Sequence, residues 1–337
     1  MESRISKVFY RSILILLPII CFLICIGVGR YGLGHKDALR VLADIVLHGK
    51  ASVAKREYSI IINTRLSRIS LALICGGGLA VAGVALQSVF SNPLVSPDTL
   101  GVASGASFGA ALALLFKANL FAVQISALLF GIIACAITYT VSRVKGGQNT
   151  IMLILSGIIV GSLFQAFVSM VKYVADTDEI LPNITYWLMG SLYTSNWKSI
   201  IMGAPPIIIC SFILFMVRWK TNVLSLSEDE AKSLGMNIRY MRLALILCSS
   251  VITSSVVSMC GQIGWIGLLM PHMCRLIFGS DNLKVIPASI SFGAVFLLIC
   301  DTFSRSMTVT EVPVSILTAL VGAPIFLMLL RNTGGNI

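Results

Sequence analysis

The chain has 337 residues, of which 57% are hydrophobic and only 12% charged, and 25 Lys and Arg against 14 Asp and Glu give a formal net charge of +11. At a mean hydropathy of +0.93, so few charges cannot cover the surface of a soluble domain with this much apolar side chain. A cytosolic enzyme, a disordered protein and a nucleic-acid binder are excluded; the basic excess suits membrane orientation and protein partners.

A helix crosses a bilayer with about 20 apolar residues, and ten stretches are predicted to do so. In chain order they are 12–29, 60–90, 98–116, 120–142, 150–172, 199–217, 241–260, 262–279, 285–303 and 313–330. The first is too long for a signal peptide and has no small-residue cleavage site before Arg30, so it reads as retained. A polar break from Gln87 to Pro97, with Asn92, Pro93 and Leu94 at its centre, separates the second span from the third. Ser96, Pro97 and Asp98 read as N-cap, N1 and N2 of that third span. Gly101, Gly105 and Gly109 form a small-xxx-small ladder, as do Gly157 and Gly161, which suits close helix approach in lipid. Pro205 with Pro206, and Gly322 followed by Pro324, should kink their helices. The eighth span is interrupted by Gly264, Gly267, Pro271, His272 and Arg275.

An even number of spans puts both termini on one side, and Arg4, Lys7 and Arg11 before the first span indicate a cytoplasmic N-terminus. With that choice 13 of the Lys and Arg lie inside and 12 outside, but eight of the outer twelve fall between Arg30 and Arg68. Without that stretch the positive-inside rule is recovered, so the stretch asks for a local explanation. The longest inner polar segment is 218–242. Within it Ser227 and Glu230 form a capping box, Glu228, Asp229 and Glu230 sit at the positive end of a helix dipole, and Gly235 is a good C′ residue. A two-turn helix is not stable alone. Leu226, Ala231, Leu234 and Met236 could dock it on a partner; the plainer reading is a solvated loop with a well-capped turn.

Nine cysteines lie almost entirely in apolar runs without a CxxC, and three scattered histidines make no metal site. No Walker A pattern, catalytic serine elbow, zinc motif or pair of intramembrane carboxylates occurs. Ionisable residues near the spans are Arg65, Arg68, Asp301 and Arg305, and the last two could pair as i,i+4 neighbours.

Four strings occur in order: Arg65 to Arg68; Asn92, Pro93, Leu94; Gly264, Trp265 and Gly267 through Pro271 and His272 to Arg275; and Glu311 and Pro313 to Gly322 and Pro324. Together they resemble the permease family of iron-siderophore, haem and vitamin B12 ABC importers, the FecCD type, from about residue 55 to 330. The resemblance implies an all-α integral membrane protein of the ABC type II importer permease architecture, one transmembrane domain over 1–337, multi-pass in the cell (inner) membrane. It implies a second permease subunit, identical or paralogous, two ATPase subunits that bind ATP and Mg, and an extracytoplasmic substrate-binding protein. No cofactor, catalytic residue or metal site is expected in this chain. The segment 222–238 becomes the coupling helix on the ATPase, carried by Ser227, Glu228, Glu230, Ala231, Leu234 and Gly235. Arg65, Arg68 and Arg305 become outer pockets for glutamates of the binding protein, and Asn92, Leu94 and Thr150 narrow the inner mouth of the pathway. The expected cargo is an iron chelate, a ferric siderophore or related complex, with cobalamin or haem as alternatives. From another class, an ion-gradient secondary transporter would need intramembrane acids, whereas Asp98, Asp301 and Glu311 lie at predicted span ends. An intramembrane enzyme lacks any nucleophile–base pair.

Overall fold

The computed structural model describes residues 4–29, 32–49, 52–144, 147–148, 150–224, 228–308 and 310–333. The described residues form an all-α bundle with one two-residue hairpin, in which Arg143 and Val144 pair with Gln148 and Gly147. The helices are α1 (Arg4–Gly27), α2 (His35–His48), α3 (Lys55–Tyr58), α4 (Ser67–Phe90), α5 (Val102–Leu115), α6 (Leu120–Val141), α7 (Thr150–Val174) and α8 (Ile180–Leu188). They continue as α9 (Trp197–Met216), α10 (Arg218–Val223), α11 (Glu228–Ser233), α12 (Ile238–Cys260), α13 (Ile266–Phe278), α14 (Asn282–Met307) and α15 (Val314–Thr333). A π-helical stretch, Ser59–Leu66, joins α3 to α4 without a break, and a single 3₁₀ turn, Pro97–Leu100, precedes α5.

The fold is built around α4. Twenty of its 24 residues are buried, which fits a helix that is apolar or small on every side. α12, α13 and α14 pack on it, whereas α1 is peripheral and exposes Ile15, Leu16, Ile19, Ile20, Leu23 and Ile24 as a lipid-facing surface. Lipid offers no hydrophobic drive between helices, so close backbone contact supplies the cohesion. A Cβ on Gly76 would stand 2.3 Å from the Gly293 carbonyl oxygen on α14. The predicted glycine ladders find partners of the same kind. Gly105 and Gly109 face the backbone of α6 at Phe130 and Ser126, and Gly157 of α7 faces Thr99 and Leu100.

The expectation of ten spans needs correction. Among the described residues, seven helices are long and apolar enough to cross a membrane: Tyr10–Gly27, Lys55–Phe90, Leu120–Val141, Ile151–Val174, Trp197–Met216, Ile238–Cys260 and Asn282–Met307. Two further apolar helices, Val102–Leu115 and Ile266–Phe278, are shorter, and α15 is apolar over Val314–Leu329. The predicted third span loses its first turn because Gly101 adopts φ +73 and separates the 3₁₀ turn from α5. Pro97 and Asp98 therefore open the 3₁₀ turn rather than a spanning helix. The predicted eighth loses its start because 261–264 is not helical and Trp265, at φ 71, begins α13 only afterwards. Residues 1–3 and 334–337 lie outside the described residues, so the side of the termini remains the sequence reading.

Gly76→Val should prevent α4 and α14 from closing, because the neighbour is backbone and cannot move aside; overpacking costs about 1–3 kcal/mol or more. Thermal unfolding in detergent should show a clearly lowered midpoint for Gly76→Val and little change for Gly264→Ala, where nothing stands within 4 Å.

Candidate functional site

At one end of the bundle the π-helix sets the position of Arg65 and Arg68. One wide turn frees backbone acceptors, and the indole Nε1 of Trp197 donates to the Ile62 carbonyl at 3.0 Å; such π segments are frequent at functional sites. Arg68 Nε donates to both carboxylate oxygens of Asp301 at 2.8 and 3.0 Å. Its Nη2 lies 2.7 Å from Asp301 Oδ1 and its Nη1 2.7 Å from Glu311 Oε2. Arg65 Nη1 donates to the carbonyls of Ile26 and Leu33 at 2.8 and 2.9 Å, and Arg305 Nη2 to that of Cys25 at 2.6 Å. All three guanidinium groups are buried, with residue exposures of 2% for Arg65, 5% for Arg68 and 6% for Arg305. The structure brings together the three arginines singled out in the sequence, but inside the subunit, each engaged by acceptors of this chain. The pairing of Asp301 with Arg305 expected from their spacing is present but long, at 4.0 Å, and the close partner of Asp301 is Arg68, 233 residues away.

The cluster joins α1, the π-helix, α4, α14 and the segment before α15. A buried charge is costly unless it is paired and hydrogen-bonded, so the fork-to-carboxylate geometry of Arg68 is what makes its burial tolerable. Two acids and three arginines at the same end of predicted spans were a readable signal. Their pairing was missed because it crosses the fold. Charge reversal at Arg68 would place a third carboxylate beside Asp301 and Glu311. Asp301→Ala should cost about 3–5 kcal/mol by leaving Arg68 half-paired, read as a loss of the monodisperse peak in detergent size-exclusion after mild heating. The same treatment of Glu57→Ala, which removes the exposed Arg40–Glu57 pair, should leave the peak intact.

The opposite end carries a second polar knot. α4 ends at Ser91, whose φ of 47 turns the chain so that the Asn92 amide donates to the Gln87 carbonyl. Asn92 Oδ1 then accepts from the Leu94 amide at 2.9 Å, leaving Leu94 exposed. Gln87 Nε2 donates to the Val95 carbonyl at 3.2 Å, and Arg275 Nη1 of α13 donates to Gln87 Oε1. Nearby, Asn282 Nδ2 of α14 donates to Ser88 Oγ at 3.2 Å, and the Asn282 amide donates to Asn222 Oδ1 at 2.8 Å. Asn222 of α10 also donates to Asp281 Oδ1 at 2.7 Å. α10 leads directly into the segment expected to couple. There α11 closes as foreseen: Gly235 has φ +74, and the Met236 amide reaches back to the Ala231 carbonyl, a Schellman closure. Ala231 is buried while Glu230 and Leu234 are exposed. Ser227 and the side chains of Glu228 and Thr150 lie outside the described residues.

Between the two ends is a cavity of about 290 Å³ that the sequence reading did not anticipate. Its walls include Asp98, Ser104, Thr253, Gln262, Trp265 and Ser315; neither Asn92 nor Leu94 belongs to it. Trp265 is held in a positive-φ turn in which the Ile266 amide bonds the Gly264 carbonyl at 2.9 Å. Such strain in a non-glycine residue persists only where the surroundings enforce it, and it clusters at functional sites. Gly267 follows because a Cβ there would meet Pro97 Cδ at 2.5 Å.

The model of the FecCD transport family matches residues 16–332. The chain is 40% identical to the molybdate import system permease protein of Haemophilus influenzae, over 93% of this chain and 92% of that one. It is 37% identical to a probable iron chelatin transport system permease protein of Helicobacter pylori, over 82% and 83%. A solved inward-facing structure of a metal-chelate-type ABC transporter superposes with a TM-score of 0.85 at 39% identity, covering 95% of this chain and 97% of that one.

Proposed function

The chain belongs to the FecCD transport family, as a multi-pass membrane permease subunit of an ABC importer, and we propose that its cargo is an iron chelate and that residues 222–238 couple it to the ATPase. The observation that carries the coupling is the Schellman-closed α11. A six-residue helix has too few internal hydrogen bonds to stand alone, and here it leaves Glu230 and Leu234 outward. It is a preformed knob for a groove on another protein. The bonds from α10 through Asp281 and Asn282 to Ser88 tie the helix that precedes that knob in sequence to the end of α4.

In this reading a binding protein docks at the Arg68 end, which faces outward with the termini cytoplasmic. Arg65, Arg68 and Arg305 shape that end from within, and Lys36, Lys55 and Arg56, all exposed, present positive charge to acidic groups on the partner. Two permease subunits, identical or paralogous, enclose the pathway, with Asn92, Leu94 and Thr150 at its inner mouth. ATP binding in the partner subunits favours one of two global states, and the permease converts that difference into alternating access. The iron chelate is supported by the Helicobacter pylori relative; the metal-chelate-type structure supports the wider class, in which molybdate, cobalamin and haem are the cargoes named for other relatives.

Gly235→Val tests the coupling. A β-branched residue is strained at φ +74, while the open space around Gly235 leaves the rest of the bundle undisturbed. With the permease assembled with its ATPase in proteoliposomes, cargo-stimulated ATP hydrolysis should fall at least tenfold with unchanged permease stability. Hydrolysis and transport at the parental rate would overturn the assignment of 228–236.

A further inference from the structure

The cavity beside α5 holds an unusual distribution of charge. Asp98 is the single ionisable residue among those lining it. Its side chain is exposed to the cavity, and among the described residues no group donates to or pairs with its carboxylate. Two of the hydroxyls around it already donate elsewhere. Thr253 Oγ1 donates to the Ser249 carbonyl at 2.8 Å, and Ser315 Oγ to the Met189 carbonyl. Ser104 Oγ accepts from Gln165 at 3.3 Å. An oxyanion loses its water on entering such a space, and among the lining residues no Lys, Arg or His stands against the carboxylate to receive it. The wall offers an uncompensated carboxylate between low-dielectric walls, where the sign of a fixed charge governs what enters.

Resting on the importer reading, we propose that this cavity is a cargo-facing chamber and that Asp98 is its specificity-determining residue. The chamber admits complexes that turn positive charge or hydrogen-bond donors to the wall, and it rejects oxyanions and polyanionic chelates. It also narrows the iron chelate to a neutral or cationic one.

The test is charge-selective thiol modification of the full-length chain carrying Ser104→Cys, with the parental chain as background for the native cysteines. A cationic and an anionic methanethiosulfonate of similar size serve as probes. The cationic reagent should react faster, and Asp98→Asn should lower the cation-to-anion rate ratio about tenfold, while Asp98→Glu retains it. Because the ratio is internal to each sample, partial loss of folded protein does not mimic the effect. An unchanged ratio in Asp98→Asn overturns the proposal, as does absence of reaction with either reagent, which would make the cavity a closed void. The expected ratio in a chain that fails ATP-driven import supports the chamber and removes the importer reading instead; the converse result removes the chamber alone.

Discussion

Within lipid a guanidinium has no water to turn to, and the Arg68 side chain meets this constraint with two carboxylates from distant parts of the chain. Asp301 takes it bidentately and Glu311 takes the remaining Nη1. Because Asp301 sits on α14 and Arg68 on α4, the pair fixes how those helices meet at one end. The Gly76–Gly293 contact then fixes the approach of their backbones. Arg65 and Arg305 extend the arrangement by capping the last carbonyls of α1, which has few buried residues of its own to hold it. This end is thus a buried polar network over an apolar bundle. Removing one partner from such a network costs more than the network contributes as a whole, since it strands a buried charge.

Much of this was legible in the sequence where a residue's role is local. The span predicted at 120–142 is α6 at Leu120–Val141, because lipid-facing helices announce themselves by length and composition alone. Gly235 was read as a C′ residue from its neighbours and has the positive φ that role requires. What failed depended on distant partners. Two predicted spans, 98–116 and 262–279, proved short because Gly101 and Trp265 adopt positive φ, which hydropathy cannot register. Helix spacing gave the 4.0 Å contact of Asp301 with Arg305 but not the shorter one with Arg68, which only tertiary geometry supplies. The cavity was not foreseen, since its wall is assembled from seven separate stretches around a residue, Asp98, that reads in sequence as an ordinary helix start.

The same features divide the labour of transport. This permease subunit supplies no bond chemistry; it supplies two ends and a passage between them. At the opposite end Gln87 ties the turn after α4 to α13 through Arg275, and Ser88 is tied through Asn282 and Asn222 to α10, the helix that precedes the proposed coupling segment. A shift of that segment would be felt first at the turn holding Asn92 and Leu94. Midway lies the chamber with its single carboxylate. On the proposed reading access and cargo preference reside on different residues, an arrangement by which one scaffold could serve the chemically varied cargoes named for its relatives.

The central claim is that ATP hydrolysed by partner subunits, rather than an ion gradient, drives passage through this chain. Its most direct measurement is uptake of a radiolabelled cationic ferric hydroxamate into proteoliposomes holding the permease with its ATPase and binding protein. The account predicts uptake that requires internal ATP and the binding protein and persists when ionophores collapse the proton and sodium gradients. Uptake by the permease alone, driven by an imposed gradient and indifferent to ATP, would contradict it.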